Sequence, residues 1–317
     1  MDYDILSEVK HISEWLNPLG EELYRRKDTP DLPLTSLPEF NKLIWGIRPK
    51  ALTIIGARTS QGKSSFALQI AYDLSASGKS VWLLSLEMDV PSLIERLFCH
   101  VMEVDNVSVL TGQFKMDKGI QQKYLKFKEL MQDSKLVLTC GLGKTWEEIE
   151  SVIETIKDKP DVIIVDYVQN IVMKSGDTRE TINEYIRKFR NMAVTYGFAG
   201  ILCSQINRGA EQQKDNEPSI SQLKESGFLE ESADVVMLLH WKAFYSGNTE
   251  GSSDYSILVA KNRNGKTGRF PIIYTPKFYR FTEKGTKPVG TFVEVSAEHK
   301  HIADIFGGRV TDENLLY

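Results

Sequence analysis

Short apolar runs alternate with amphipathic segments along most of the chain. From residue 51 onward, runs rich in Val, Ile and Leu recur, and between several of them apolar residues are spaced three or four apart. Such runs predict strands buried on both faces, and the spacing between them predicts covering helices. The predicted strands span residues 51–57, 81–87, 135–140, 161–166, 199–205, 235–241 and 256–262.

This alternation predicts an α/β fold with a mostly parallel central sheet. The last apolar stretches, FPIIYT and FYRF, follow a glycine-containing turn with no helical segment between them. They predict hairpins at the end of the sheet. We therefore expect one α/β domain, preceded by a helical N-terminal arm.

The N-terminal arm has its own amphipathic pattern. Ile5, Val9, Ile12, Leu16 and Leu19 recur three or four residues apart and predict one helix. The sequence RRKDTPDLPLTSLP that follows is rich in proline and charge, which is typical of a linker. Two interpretations of the apolar stripe stay open: it packs on its own domain, or it docks on a neighbouring subunit.

Composition narrows the class of protein. The 317 residues are 41% hydrophobic and 26% charged, as in globular proteins with a substantial core. A net charge of −4 gives no general attraction to nucleic acid, so DNA binding would need a local basic surface. Three unpaired cysteines, no signal peptide pattern and no apolar run long enough to cross a bilayer predict a soluble, intracellular protein without a membrane partner.

Residues 57–64, ARTSQGKS, have the spacing of a phosphate-binding loop between a predicted strand and a predicted helix. In such a loop, consecutive backbone N–H groups at a helix N-terminus bind phosphates. Lys63 would neutralise the β- and γ-phosphates and Ser64 would ligate Mg²⁺. Ala57 stands where the usual pattern has glycine. The predicted nucleotide-binding set is Arg58, Thr59, Ser60, Gln61, Gly62, Lys63, Ser64 and Ser65.

Polar side chains end three further predicted strands. Asp166 ends DVIIVD, where a second contact to Mg²⁺ belongs. Glu87 ends WLLSLE and would polarise an attacking water, although a solvated carboxylate gives the same pattern. Gln205 ends ILCSQ, where its amide would either contact the γ-phosphate or cap a loop.

A pair of basic residues occurs at the end of the predicted strand 256–262. Lys261 and Arg263 lie two apart in AKNRNGKTG, so on a strand their side chains face the same way. The pattern fits a solvated basic hairpin. It also fits a pair of arginine-finger-like cations that reach a phosphate from outside their own loop's site.

Taken in order, these segments resemble the C-terminal motor domain of the DnaB-type replicative helicases, ring-forming members of the RecA-like group. The resemblance covers residues 34–283 and rests on GARTSQGKSSFALQIA, SLEMDVPSLIERL, VIIVDYVQ, SQINR, SQLKESGFLEESADVVM and KNRNGKTG. Ala57 is common in that family. The resemblance implies a RecA-like P-loop NTPase fold for this range. It also implies a subunit-clasping helix and linker at 1–33, and a C-terminal tail at 284–317.

The resemblance further implies roles for single residues. Lys63 and Ser64 would bind the phosphates of ATP and Mg²⁺, and Asp166 would hold the metal. Glu87 would activate water, and Gln205 would sense the γ-phosphate.

Four more positions take a role from the resemblance. Lys261 and Arg263 would reach into the site of the adjacent subunit. Arg96 matches a family arginine and joins the nucleotide-binding set. Tyr274 lies where ring helicases place an aromatic ring on the nucleotide base, although a core role is an open alternative.

For DNA, the informative stretch is SQLKESGF, which in the family lines the pore of the ring and holds single-stranded DNA. Lys224, Glu225 and Gly227 are the matching positions, and Arg208 belongs to an adjacent loop. Lys224 stands where the family commonly has arginine, so a point-charge contact would replace a bidentate one. Copies of one small basic loop around a ring reconcile an acidic protein with a DNA partner.

The resulting prediction is an ATP-dependent DNA helicase motor in a homo-oligomeric, hexameric ring. It would translocate on single-stranded DNA in the cytoplasm of a bacterial cell or phage-infected host, with a helicase loader or primase as further partners. Two alternatives stay open: a RecA-like, DNA-stimulated ATPase that acts as a recombination mediator or switch without unwinding, and a non-catalytic DNA-binding assembly subunit. The short arm fits either a compact helicase or a fragment of a longer one.

Overall fold

A computed structural model describes residues 11–25, 30, 32–171, 178–207, 217–223, 226–245 and 254–283. The strands in these ranges are β1 (Leu52–Ala57), β2 (Val81–Ser85), β3 (Leu136–Cys140), β4 (Val162–Asp166), β5 (Ala199–Gln205), β6 (Val235–Trp241), β7 (Tyr255–Asn262), β8 (Gly268–Thr275) and β9 (Arg280–Thr282). The helices are α1 (Ile12–Arg25), α2 (Pro38–Ile44), α3 (Lys63–Ala76), α4 (Val90–Met102), α5 (Asn106–Leu110), α6 (Lys118–Gln132), α7 (Trp146–Thr155), α8 (Thr178–Tyr196), α9 (Ser226–Ser232) and α10 (Lys242–Tyr245).

The described strands form one sheet in the order β3-β2-β4-β5-β1-β6-β7-β8-β9. The six strands from β3 to β6 in this order pair in parallel. The remaining pairs, from β6 to β9, are antiparallel. The predicted α/β fold, its mostly parallel sheet and its terminal hairpins are therefore confirmed.

Strand β1 lies in the middle of the sheet and is buried on both faces. Ile54 contributes to the apolar cluster with α7 and α8, whereas Ile55 contributes to the cluster with α2, α3 and α4. Because side chains alternate across a strand, a strand covered on both faces needs a nearly continuous apolar run, and Thr53 is the one polar residue of β1. The loop that follows β1 is thus anchored at the centre of the molecule.

Helix α3 is buried almost all round, since every residue from Ser65 to Ser75 is buried. Gln69 exchanges two hydrogen bonds with the backbone of Phe281, both 2.8 Å long. Asp73 accepts hydrogen bonds from the backbone N–H and hydroxyl of Ser36. Glu283 accepts the N–H groups of Glu39 and Phe40 at the start of α2. These contacts satisfy buried polar groups and join residues 36–40 and 281–283 to α3 and to each other.

Helix α1 has an exposed apolar stripe. Ile12 is 69% exposed and Leu16 is 56% exposed, and Leu19 and Leu23 are exposed as well. This contradicts packing of the described part of the stripe on its own domain, one of the two interpretations above. Ile5 and Val9 lie outside the described residues. Among the described helices, none is both long enough and apolar enough to cross a membrane.

The buried carboxyl of Asp73 generates a prediction about pH. Burial raises the pKa of Asp73 to about 6, although hydrogen bonds from Ser36 oppose the rise. Between the unfolded value of 3.8 and about 6, the folded state binds more protons than the unfolded chain. The Asp73 contribution to the free energy of unfolding therefore falls as pH rises through this window.

We expect Asp73→Asn to remove this fall, because the amide oxygen keeps the Ser36 hydrogen bonds without titrating. The free energy of unfolding of the variant minus that of the parent chain should therefore rise by on the order of 2–3 kcal/mol from pH 4 to pH 7. Urea unfolding across this range measures it, with Glu129→Gln on the exposed face of α6 as the control. A difference that does not change with pH would contradict the prediction.

Candidate active site

A cleft of about 370 Å³ opens at the carboxyl ends of the parallel strands. Ligand sites of open α/β sheets lie at this edge. The cleft is lined by Ala57, Arg58, Thr59, Ser60, Gly62, Lys63, Ser64, Glu87, Met88, Arg96, Tyr167 and Gln205. Residues that follow β1, β2, β4 and β5 are therefore brought together, as the sequence pattern predicts.

The loop between β1 and α3 depends on Gly62. Its φ of +83° is left-handed, and a Cβ there would lie 3.0 Å from Phe281 Cζ and 3.2 Å from Tyr274 Cζ. Glycine meets both requirements because it has no side chain. Helix α3 begins at the next residue, Lys63. The N–H groups of its first turn have no acceptor within the helix, so they are available to anionic oxygens.

Lys63 and Asp166 form a buried ion pair in the floor of the cleft. Lys63 Nζ donates to Asp166 Oδ1, and the two side chains are only 10% and 3% exposed. Burial alone lowers the pKa of Lys63, but Asp166 outweighs it, so the pKa is raised and the ammonium stays charged. Burial and Asp166 together raise the pKa of the neighbouring Cys203 thiol, which stays protonated.

The donor set fits a nucleotide accompanied by Mg²⁺. Ser64 and Asp166 offer a hydroxyl and a carboxylate, and Mg²⁺ in nucleotide sites takes one or two such protein oxygens together with phosphates. Lys63 and the first-turn N–H groups of α3 offer the positive charge and donors that phosphates need. In the described part of the chain, no group of three or more His, Cys, Asp or Glu residues could hold a metal by itself.

Glu87 reaches the cleft from a turn after β2. The strand ends at Ser85, two residues earlier than predicted. The Ser85 hydroxyl accepts the N–H of Met88 at 2.8 Å and that of Glu87 at 3.4 Å, and this turn brings Glu87 out of the sheet. Its carboxylate is exposed at the cleft, so it can contact water.

Gln205 connects the phosphate loop to the chain beyond β5. Its Nε2 donates to Thr59 Oγ1 at 2.8 Å, while its backbone N–H donates to Gln169 Oε1. The next residue, Ile206, pairs with Leu223 in an isolated bridge. Gln205 thus contacts the loop through its side chain and precedes the residues that pair with the segment 217–223.

Three residues of the predicted nucleotide-binding set have side chains beneath the loop rather than in the cleft. Gln61 is 1% exposed, and its amide donates to the Tyr245 hydroxyl at 2.9 Å. Ser65 is hydrogen-bonded to Tyr274, whose ring stacks on Phe281 with centroids 4.4 Å apart. Only the backbone of Gln61 and Ser65 can face a ligand.

The predicted stacking of Tyr274 on a nucleotide base is contradicted by its burial. The ring is 5% exposed and does not line the cleft. Tyr274 lies on β8, and the inward face of that strand carries it into the core. Its alternative role as a core aromatic residue is the one observed.

A second cavity of about 160 Å³ shares Met88 and Arg96 with the cleft. Here the Arg96 guanidinium lies 5.0 Å from the centroid of the Tyr279 ring, and the Tyr279 hydroxyl accepts a hydrogen bond from Asn106 at 3.0 Å. A flat guanidinium and an aromatic ring suit a nucleotide base. Tyr279 is not among the residues predicted from the sequence. The signal for it was Pro276, which ends the strand and places the second tyrosine of YTPKFYRF in a turn.

Lys261 and Arg263 lie away from the cleft of their own chain and do not line it. Lys261 Nζ donates to the carbonyl of Glu230, and Arg263 donates to that of Glu231 at 2.6 Å. Burial, followed by the nearby Arg263 charge, lowers the pKa of Lys261. Both side chains therefore lie at the C-terminal end of α9, although Arg263 follows the last residue of β7.

Most of the predicted DNA contacts fall outside the part of the chain that the structure describes. These are Arg208, Lys224 and Glu225. The predicted C-terminal tail, 284–317, also lies outside the described residues. Gly227 belongs to the first turn of α9.

Residues 34–283, more than half of the chain, match the family described as DnaB-like helicase C terminal domain. The replicative DNA helicase DnaC of Bacillus subtilis is 29% identical over 270 residues, which cover 82% of this chain and 58% of that relative. The replicative DNA helicase DnaB of Haemophilus influenzae is 29% identical over 254 residues, or 78% of this chain and 54% of that relative. The chain thus spans little more than half the length of these curated relatives.

Two solved structures share the fold. One is described as a DnaB-like replicative helicase and its interactions with primase; it superposes with a TM-score of 0.78 at 24% identity over 87% of this chain and 69% of its own. The other is described as an ATPase domain and gives a TM-score of 0.77 at 24% identity over 86% of this chain and 98% of its own. Both likenesses establish the RecA-like ATPase fold.

The second cavity generates a prediction about nucleotide affinity. We expect Tyr279→Ala to weaken ATP binding roughly 3- to 10-fold, because it removes an aromatic contact to the base. Binding of inorganic tripolyphosphate, which has no base, should not change. Calorimetric titration of both ligands measures this, and Lys277→Gln, at an exposed position of the same turn, is the control. Equal losses for ATP and tripolyphosphate would exclude a base contact.

Proposed function

This chain belongs to the DnaB-like helicase C-terminal domain family, and on that premise we propose that it is an ATP-dependent, ring-forming motor that translocates on single-stranded DNA and unwinds duplex DNA. The observation that carries the proposal is the cleft at the strand ends. It holds Lys63, Ser64 and Glu87 beside Asp166, groups that can bind a nucleoside triphosphate and activate the attacking water.

Phosphate binding would begin with a change of partner for Lys63. In the present structure its ammonium is paired with Asp166. When a triphosphate enters, its γ-phosphate offers Lys63 a more highly charged partner, and the Asp166 carboxylate becomes available together with Ser64 to hold Mg²⁺. Mg²⁺ bound there would neutralise part of the phosphate charge. The exchange keeps the buried ammonium paired throughout, which avoids the cost of an isolated buried charge.

Hydrolysis would use Glu87 as the general base. Water attacks the γ-phosphorus in line, the bond from that phosphorus to the β–γ bridging oxygen breaks, and Glu87 accepts the proton of the water. ADP leaves with the bridging oxygen. An exposed carboxylate beside the phosphate loop has access to the water this step consumes.

Loss of the γ-phosphate would be transmitted through Gln205. Its amide bonds to Thr59 of the phosphate loop, and the chain beyond it pairs with the 217–223 segment through the Ile206–Leu223 bridge. In our proposal, this segment leads to the DNA contacts at Lys224, Glu225 and Gly227, with Arg208 in the neighbouring loop. Each phosphate neutralised on a single strand adds about −0.7 to the salt slope of binding.

The ring would complete each site from two protomers. We propose that Lys261 and Arg263 act in trans, because they do not line the cleft of their own chain. An arginine supplied in trans contributes roughly 10³–10⁵ in rate in related phosphoryl transfer. A primase or a helicase loader is a further partner in the proposal; a similar fold is described together with its interactions with primase.

The arm would hold neighbouring protomers together. Its exposed apolar stripe needs a cover, and α5 with the turn after it carries an apolar surface formed by Val107, Leu110, Phe114 and Met116. Met116 is 88% exposed. We propose that the stripe of α1 docks on this surface of the next protomer, because two exposed apolar patches on one chain can bury each other in a ring.

Mixed rings test whether sites are shared. Lys63→Ala and Arg263→Ala should each abolish most ATPase activity. A mixture of the two should regain part of it, since random assembly joins an intact Lys63 to an intact Arg263 at roughly a quarter of the interfaces. Phosphate release with single-stranded DNA present measures this, and strand displacement by the parent chain tests unwinding. Strict loss of activity in all mixtures would contradict shared sites, and DNA-stimulated hydrolysis without strand displacement would favour the non-unwinding ATPase.

Substitutions in the arm test assembly. We expect Leu16→Ser combined with Leu19→Ser to weaken oligomerisation more than tenfold, because each buried leucine contributes about 1.5–3 kcal/mol. Light scattering over a concentration series measures the mass, and Glu21→Gln on the same helix is the control. ATP binding to the protomer should not change. A variant that assembles like the parent would exclude the arm from the interface.

A further inference from the structure

Asp234 occupies the junction between α9 and β6 and is buried. Its two carboxylate oxygens have different partners. Oδ2 accepts the backbone N–H of Leu52 at 2.9 Å, at the start of β1. Oδ1 lies 3.3 Å from Arg263 Nη1 and 3.7 Å from Arg190 Nη2. One oxygen therefore binds the backbone of the sheet, while the other faces two guanidinium groups.

Arg263 contacts this junction through both its main chain and its side chain. Its backbone N–H donates to the Asp234 carbonyl at 2.9 Å, and its Nη2 donates to the Glu231 carbonyl at 2.6 Å. Main chain and guanidinium are thus fixed to the same short stretch of the protein. The side chain is nevertheless 42% exposed, so it is held at the surface rather than buried in the core.

This arrangement is suited to an arginine that must act outside its own protomer. An exposed arginine samples many rotamers, and ordering it costs conformational entropy. Two acceptors leave part of the five guanidinium donors available for a phosphate. An arginine ordered in advance does not lose this entropy during the reaction.

We propose that Asp234 is a positioning residue that orients Arg263 toward the nucleotide site of the adjacent protomer. The inference rests on the proposed function, because it requires a shared site. Arg190 lies at a greater distance from the same oxygen and belongs to α8. It therefore offers a control for the purely structural role of the cluster.

The test is Asp234→Asn. The amide oxygen can still accept the Leu52 N–H, whereas the charge that faces Arg263 is lost. We expect kcat for ATP in assembled rings to fall by about 10-fold or more, with KM and the binding constant of a fluorescent nucleotide unchanged. Arg190→Gln should stay within about twofold of the parent in kcat.

Two further readouts separate positioning from folding. Adding Asp234→Asn to Arg263→Ala should cause no further loss of kcat, because both changes act on one group. Mixing Asp234→Asn protomers with Lys63→Ala protomers should restore part of the activity, since the Lys63→Ala copy supplies a correctly held Arg263. A lowered urea midpoint with an additive double variant and no rescue would assign Asp234 a structural role only and overturn the inference.

The inference and the proposed function fail in different ways. If Arg263→Ala abolishes hydrolysis but Asp234→Asn leaves kcat unchanged, the proposed shared site stands and the positioning role is overturned. If the parent chain releases no phosphate from ATP, the proposed function fails first. If the parent chain is active but Arg263→Ala is as active as the parent, the shared site is excluded and the inference falls with it.

Discussion

The close contact between the phosphate-binding loop and the aromatic side chains beneath it determines much of this structure. Gly62 lies directly above Tyr274 and Phe281, which stack on each other. From the same side, the Tyr255 hydroxyl donates to the Gln61 carbonyl. The loop is therefore supported by β7, β8 and β9, strands that contribute little to the lining of the cleft. This gives the antiparallel strands a physical role, because a loop with left-handed residues needs surroundings that hold it in place.

The contact of Gly62 with Tyr274 and Phe281 also separates the parts of the site that the sequence could predict from those that it could not. Chain order and periodicity place Asp166 and Gln205 at the ends of parallel strands and Lys63 at the start of the helix that follows β1. The carboxyl ends of such strands meet at one edge. These positions follow from strand polarity alone. Tyr274 does not follow in this way, since a tyrosine near the nucleotide can lie under the loop or over the base. Only the packing of Phe281 and Gly62 decides between the two.

Local turns limit the prediction in a second way. The sequence SLEMD continues an apolar run and so predicts Glu87 at the end of a strand. The Ser85 hydroxyl instead accepts two backbone N–H groups, and β2 ends at Ser85. Serine competes with the ladder in this manner because its hydroxyl accepts from nearby backbone. Tyr279 has a comparable origin. It lines the second cavity because Pro276 ends β8 and Tyr279 itself takes a left-handed conformation after the 3₁₀ turn. Such features depend on hydrogen bonds that periodicity does not encode.

Hydrophobic patterning does not define contacts between neighbouring subunits. The side chains around Asp234 suggest how one such contact could be linked to DNA binding. Helix α9 begins at Ser226, beside the positions that we propose contact DNA, and it ends at the carbonyls that accept Lys261 and Arg263. A helix of seven residues is too short to bend appreciably, so displacement of its first turn shifts its last turn as well. In a ring, this would connect the grip of one protomer on DNA to the cations that it offers the next protomer's nucleotide. The direction is reciprocal, because a free energy that couples two sites acts equally from either one. Nucleotide binding in one protomer would then change the DNA contact of its neighbour, which is the coupling that ordered movement along a strand requires.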